Sequence, residues 1–588
     1  MPTCPLVRKN DDFITASRTF GETLVGTELE LDGTKLEYQK DQPDPVHQCQ
    51  MKIANWQLKR LYLAAYDNYI TRLMVDDMTV AVATLSVIDE PHAIKLVPVL
   101  YTQRNWVIYY NKKNEITDVY VSAADPVTLP DYHSLNGTET FDYNMSYTVR
   151  WILSDNKDER EDLYKDAQFF HSSAHIFSVF NAVFFALFFV GFVVLIYRYI
   201  SQGDSSQSAN QPSWKRRSRS PAKFKQVKEH ADDDIDTIHT DEQSADKSVI
   251  IEQGGESEDR FADMDLGDCS GWKQINNDVF RAPRSPSLFS ALIGTGWQLL
   301  AVIATLLLLP NLGFGSYFDQ GSIVSSFVWM YLVYSLFGGF KSSQILSSFS
   351  GKHWIRTLSL QGFSFPMIAL CCYTIMCMVH AYNGSAVAPG FGIYFLITVL
   401  FVFIVLPLTF VGTLIQRRNA EKPDDQADSV NVFPGIIPPK PWYLSNVFLV
   451  LVTGIPAFGV ISTELYYIAS AYSTYWWYYT YGFTFTIFIS MICIIACSSI
   501  LVTFMLLNTE DYRWQWSSFL GGCSVGLYSF IFFRIFYLSS QMYGSVQFFA
   551  YHTFVFLLSV VISFICGTVS YASSSIFVHI IYRLGKMD

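Results

Sequence analysis

Apolar and polar positions divide the chain into unequal parts. From about residue 287 to 582, long runs nearly free of Lys, Arg, Asp and Glu alternate with short polar breaks. Eight such runs lie at roughly 287–310, 322–340, 355–381, 391–415, 445–470, 478–507, 517–541 and 551–581. A ninth, "HIFSVFNAVFFALFFVGFVVLIYRYI", stands apart at about 175–200. A hydrocarbon core of about 30 Å is crossed by about 20 helical residues, so each run is long enough to span it.

The chain before residue 175 has shorter periods. "CQMKIANWQLKRLYLAAYDNYI" sets Leu58, Leu61, Tyr62, Ala65 and Tyr69 on one helical face, which predicts a helix. Around it, "TRLMVDDMTVAVATLSV", "NWVIYYNKKNEITDVYVSA" and "FDYNMSYTVRWIL" are strand-like. The second holds a polar Asn111-Lys112-Lys113-Asn114 break between β-rich arms, which predicts a hairpin. The expected architecture is a polytopic all-α membrane bundle of nine transmembrane helices with an N-terminal β-rich, β-sandwich-like domain. Its parts are a lumenal domain over 1–174, a first span over 175–200, a partly disordered cytosolic linker over 201–286, an eight-helix bundle over 287–582 and a tail over 583–588. The linker runs from "KRRSRSPAKFK" to "DDDIDTIHTDEQSADK", with few apolar residues and segregated charge. Phosphorylation of its Ser218 or Ser220 would alter attraction to an anionic leaflet, although a solvated tether accounts for the same residues.

Composition agrees with the pattern. Half of the 588 residues are hydrophobic and 16% are charged, against about 25% in soluble domains. The net charge of -11 belongs to the loops and argues against a nucleic-acid partner; the lipid bilayer is the partner expected. Charge sign also predicts orientation. Arg198, Lys215, Arg216, Arg217 and Arg219 follow the first span; Lys341, Lys352, Arg356, Arg417, Arg418, Lys422, Lys440, Arg513, Arg583 and Lys586 fall on the same side by alternation. The opposite loops, "NLGFGSYFDQG", "HAYNGSAVAPG", "SAYSTYWWYYTYG" and "SSQMYGSVQ", contain no Lys or Arg. The positive-inside rule then places the N-terminal domain in a lumen and the C-terminus in the cytosol. The opening "MPTCPLVRKNDDF" has no basic n-region followed by an apolar core. Either a signal peptide is missing from this chain or the first span acts as a reverse anchor.

Candidate chemistry is sparse. Charges inside spans are costly, at least about 2.5–3.5 kcal/mol each on insertion scales, so Glu464 and Arg534 stand out. At 1.5 Å per residue both lie roughly 25–28 Å from the cytosolic face, where they could pair or each meet water separately. His380 and His552 share that side. Gly522-Cys523-Ser524-Val525-Gly526 matches G-x-S-x-G, with His552 or His579 as conceivable bases, but small residues in a span usually serve helix packing. His171 and His175 are half of a metal site at most, so no metal or other cofactor is expected. "YSTYWWYYTYGF" reads as an interfacial aromatic belt. Pro366, Pro407, Gly454 with Pro456, and Gly294-Thr295-Gly296 interrupt spans, as in transporters. Asn136, Asn144 and Asn383 head glycosylation sequons. Cys4 and Cys49 could form a disulfide in a lumen; Cys371, Cys372, Cys377, Cys493, Cys497, Cys523 and Cys566 lie in apolar runs.

Specific resemblance begins at 265–300. "DLGDCSGWKQINNDVFRAPRSPSLFSALIGTGWQLL" closely resembles the approach to the second span of the nonaspanins, the transmembrane 9 superfamily. "FSGKHWIRT", "IPPKPWYLSNVFLVLVTGIPAFGVISTELYYI", "NTEDYRWQWSSFLGGCSVGLYSFIFF" and the final "GKMD" agree in order. "FDYNMSYTVRWI" and "YKDAQFFHSSAHIFSVFN" resemble that family's domain end and first span, and Cys49 resembles a family cysteine. The resemblance implies Golgi and endosomal residence, a role in sorting or surface delivery of client transmembrane proteins, and no established enzymatic reaction. It also implies that Lys586 and Asp588 form a Lys-x-Asp signal bound by the COPI coat. Glu464 matches the family's acidic residue in span six, whereas Ser498 and Ser499 stand where relatives can carry Glu. The alternative function is a transporter or channel whose Glu464 contacts a cation.

Overall fold

The stretch that reads as one helix from Cys49 divides at Ala54. Met51 and Ile53 are buried at a period of two, while Leu58, Leu61 and Ala65 are buried at helical spacing. The first part is therefore strand β1 (Gln42–Ala54) and the second helix α1 (Asn55–Tyr66). Tyr69, expected on the helix face, lies beyond its end and is exposed. The structure is a computed structural model that describes residues 33–66, 69–75, 78–89, 96–130, 140–154, 172–209, 278–312, 320–349, 351–383, 391–419, 437–474, 481–540 and 544–584, with residues 8–9, 12–13, 272, 275, 435 and 542.

Six further strands follow: β2 (Thr71–Val75), β3 (Met78–Val82), β4 (Leu85–Asp89), β5 (Leu96–Tyr110), β6 (Ile116–Thr128) and β7 (Thr140–Leu153). β1, β7, β5 and β4 lie in that order in one sheet, and β6 pairs with β5. The β5–β7 ladder is parallel and the others are antiparallel. Alternate residues of β7, Tyr143, Met145, Tyr147 and Val149, face the core. Helix α1 packs with the Met145 end of that face, through Leu58 and Leu61. The β2–β3 hairpin packs with the Tyr147 end, through Val80 and Leu73, against Trp106 and Ile108. The predicted β5–β6 hairpin forms because Asn111 supplies a local cap. Its side-chain oxygen accepts from the Lys113 and Glu115 N–H groups at 2.9 Å, and Asn114 takes φ 65°.

The membrane bundle follows as α2 (Ser172–Ala209), α3 (Pro286–Asn311), α4 (Gln320–Ser348), α5 (Trp354–Tyr382), α6 (Phe391–Leu400), α7 (Leu406–Asn419), α8 (Asn446–Thr474), α9 (Tyr481–Asn508), α10 (Trp514–Ser539) and α11 (Ser545–Leu584). Helices α6 and α7 form one span, so nine candidate membrane spans lie among the described residues. A π turn, Phe401–Val405, joins them, with the Leu406 N–H bonded to the Phe401 carbonyl five residues back. Pro407, lacking an N–H and crowding the carbonyl four residues before it, accounts for that slip. Pro366 and Pro456 leave α5 and α8 continuous.

Close backbone approach holds the bundle together. A Cβ on Gly339 of α4 would collide with the Thr409 carbonyl, and one on Gly412 of α7 with the Leu336 carbonyl. Gly294, Gly296 and Gly454 likewise face Ser342, Thr568 and Ser524. These glycines are contact points between helices. The first span differs from the rest: 6% of its most apolar window is buried, against 56% for the last span. It packs through a narrow stripe of His175, Ser178, Ala182, Ala186, Phe189, Ile196 and Ile200, at intervals dominated by three and four residues.

Candidate functional site

Two ionisable side chains from different helices, α8 and α2, meet inside the bundle. Glu464 lies on the inner stripe of α8 with Val460, Ile461 and Leu465, and is 3% exposed. Its Oε1 is 2.9 Å from Nδ1 of His175, itself 2% exposed at the start of α2. The imidazole lies between Tyr467, centroids 4.3 Å apart, and Phe483, 5.4 Å apart. A carboxylate surrounded by apolar helices needs such a partner, because the medium neither hydrates nor screens it. The pair joins the loosely packed first span to the sixth. The His171-x-x-x-His175 spacing makes His175 half of a metal site at most; in the structure it stands against Glu464, and His171 lies outside the described residues.

Arg534 does not meet Glu464. The two are at similar depth, as the Tyr466–Phe536 ring contact at 5.7 Å between α8 and α10 indicates. Depth fixes one coordinate only. Arg534 lies on the outward face of α10 and bonds Nε2 of His552 at 2.9 Å. His380 is buried in the last turn of α5.

Among the described residues, no base is hydrogen-bonded to Ser524. Its hydroxyl donates to the Gly521 carbonyl of its own helix at 2.7 Å and faces Gly454. His552 is engaged by Arg534, and His579 bonds the Ser575 carbonyl. Ser499 joins Ser518, Ser570 and Ser574 in a buried hydroxyl lattice linking α9, α10 and α11. Hydroxyls can both donate and accept, so the lattice is satisfied without charge.

The segments that carry the sequence resemblance gather at the end of the bundle bearing the basic loops. Trp514 and Gln515 donate to the Val279 carbonyl, Trp516 to the Arg284 carbonyl, and Tyr582 to the Trp272 carbonyl. Asp278 binds Arg281 at 2.7 Å and accepts from the Gly435 N–H. Asp511, fully buried, binds Lys440 at 2.7 Å and Arg513 at 3.1 Å. Burial alone would push the Asp511 carboxyl up, but hydrogen bonds from Arg513 and Lys440 outweigh it and hold it below the usual carboxylate range. A depressed folded value contributes stability that is complete above the unfolded value of about 3.9 and lost as pH falls through the folded one. Asp511→Asn is therefore expected to lower stability by roughly 1–3 kcal/mol at neutral pH. The gap in thermal midpoint between the variant and the natural chain should close on acidification below about pH 4. A gap that does not narrow as pH falls below about 4 would disprove the assigned charge network.

Among the sequons, Asn144 is exposed on β7 and Asn383 follows α5, its Nδ2 donating to the Val379 carbonyl at 2.8 Å. Asn136 lies outside the described residues. Cys49 is disulfide-bonded, whereas Cys4 is outside the described residues, as are Ser218, Ser220, Lys586 and Asp588.

Comparison with known proteins bears on the whole chain. The sequence profile of the family described as Endomembrane protein 70 matches residues 1–546. Transmembrane 9 superfamily member 1 of Mus musculus is 29% identical over 92% of this chain and 82% of its own length. The Bos taurus member 1 is 28% identical over 97% of this chain and 88% of its own. Transmembrane 9 superfamily member 3 of Arabidopsis thaliana is 26% identical over the same shares, 97% and 88%. No solved structure matches the chain.

Proposed function

The chain belongs to the endomembrane protein 70 family, the transmembrane 9 superfamily, and on that premise we propose that it is a non-enzymatic Golgi and endosomal membrane protein that sorts or delivers other transmembrane proteins. The observation that carries this reading is Glu464, a carboxylate held inside the bundle by a histidine of the least buried span. Lipid solvates a transmembrane helix with exposed polar groups poorly, and interhelical hydrogen bonds with close small-residue contact are what a bundle can offer it. The first span occupies the place beside Glu464 that such a client helix would take. In this reading the basic end faces the cytosol and the N-terminal domain the lumen. Loop charge supports the orientation, and the disulfide at Cys49 suits an oxidising compartment. The tail residues Lys586 and Asp588 supply a cationic point and an acceptor that a COPI coat subunit reads.

One experiment tests both ends. Proximity labelling is run in cells from a tag in the cytosolic linker, on the natural chain, on Glu464→Gln and on Lys586→Ala with Asp588→Ala. The tail variant is expected to lose labelled coat subunits and leave the Golgi. Glu464→Gln should keep its place and lose transmembrane neighbours. If both variants label the same proteins as the natural chain, the sorting reading fails. Cation flux in liposomes that Glu464→Gln abolishes would establish the transport reading instead.

A further inference from the structure

The lipid-facing stripe of α10 carries a charge. Leu527, Ile531, Ile535 and Leu538 are each 47–69% exposed at helical spacing, and Arg534 is exposed among them. It lies five residues before Ser539, the last residue of α10. That puts it about 7–8 Å from the helix end, within reach of lipid headgroups. This is the end opposite the basic loops.

The guanidinium is held in place. Its NH1 group donates to His552 Nε2 at 2.9 Å. The other ring nitrogen, Nδ1, is 2.8 Å from the Phe548 carbonyl, which can only accept. Nδ1 therefore carries the proton and Nε2 offers a lone pair, so His552 is a neutral acceptor. The Arg534 guanidinium carbon is 5.6 Å from the Tyr537 ring centroid and 5.7 Å from that of Phe548. This carbonyl–imidazole–guanidinium chain orients the cation without neutralising it. Among the described residues, His552 is its hydrogen-bond partner and no carboxylate pairs with it. Most of the five N–H donors of an arginine have no hydrogen-bond partner among the described residues.

We propose that Arg534, positioned by His552, binds the phosphate of a phospholipid in the leaflet opposite the basic end, with an acyl chain along Leu527 and Ile531. A planar guanidinium matches a phosphate through paired N–H bonds. The lipid source follows from position: the group is exposed on the outer wall of the bundle, among apolar residues that are exposed as well. This site is independent of Glu464 and of the sorting reading.

The full-length protein, purified in mild detergent, is titrated with phosphatidylglycerol and followed by native mass spectrometry. Diacylglycerol with the same acyl chains is the phosphate-free control. Arg534→Gln is expected to retain phosphatidylglycerol at least about tenfold more weakly, as loss of a charged hydrogen-bonded pair implies. Both proteins should retain diacylglycerol equally. His552→Phe keeps a ring but removes the acceptor, and Arg534→Lys keeps the charge but not the fork; each should fall between the two. Thermal unfolding checks that each variant is folded, and His552→Phe with Arg534→Lys carry the test if Arg534→Gln is not. Equal phosphatidylglycerol retention by the folded variants and the natural chain overturns the site. So does a deficit that extends to diacylglycerol, which would mark loss of packing. Displacement of the lipid by millimolar inorganic phosphate would refute the lipid source.

Discussion

Replacing His175 by Ala is expected to destabilise the bundle by about 3–5 kcal/mol, because it withdraws the imidazole 2.9 Å from a buried carboxylate. Glu464→Leu leaves the His175 ring stacked on Tyr467 and Phe483 and should cost less, about 1–3 kcal/mol. The double variant His175→Phe with Glu464→Leu substitutes apolar groups for both partners. It should recover to the stability of the natural chain or exceed it, as buried ion pairs replaced by well-packed apolar residues often do. Thermal unfolding of the full-length protein in detergent measures all four corners of the cycle. Simple addition of the two single losses, with no coupling, would disprove the pair.

The double variant also separates two roles. If Glu464 serves only to attach the first span, a stable apolar contact replaces it and trafficking of clients continues. If it reads client helices, the double variant folds and its transmembrane neighbours are lost. Stability and sorting then part company in one protein.

What could be read in the sequence follows from which coordinate each pattern encodes. The spans were legible because about 20 apolar residues are needed to cross the bilayer whatever lies beside them. Depth was legible too, as rise per residue is constant, and Glu464 and Arg534 do lie at one level. Their azimuth was not. It depends on which helices pack together, and α8 turns Glu464 inward while α10 leaves Arg534 exposed on the outside of the bundle. The partner of Glu464 is 289 residues away in sequence, at the rim of the first span, where a histidine is compositionally unremarkable. The boundary at Ala54 was misread because "CQMKIANW" satisfies both periods over so short a run; Met51 and Ile53 obey the strand period once β7 pairs with them. The resemblance motifs at 265–300 and 508–533 are separate stretches of the sequence, and only the fold brings Trp514 to the Val279 carbonyl.

Gly522→Val is expected to prevent recovery of a folded, monodisperse protein, while Gly191→Ala leaves folding intact. Both positions are glycines inside membrane helices, so intrinsic backbone preference treats them alike, at about 1 kcal/mol relative to Ala. Their surroundings differ. A Cβ on Gly522 would collide with the Cys566 carbonyl oxygen and come within 2.6 Å of the Gly567 Cα, both backbone atoms of α11. A Cβ on Gly191 would meet nothing within 4 Å. Backbone cannot rotate aside as a side chain can, so α10 and α11 must separate along their contact, at about 1–3 kcal/mol or more. Gly526, one turn further, faces Ser559 and Ser563 of α11, and Gly567 returns the contact against Phe519 and Cys523. The two glycines of the G-x-S-x-G sequence are thus a small-xxx-small packing motif, with Ser524 turned toward α8. Size-exclusion chromatography of tagged full-length variants measures recovery. A monodisperse Gly522→Val at natural yield would refute the tight α10–α11 contact. Retained folding in Ser524→Ala, beside a lost fold in Gly522→Val, would show that the glycines of the sequence, not its serine, are what the bundle requires.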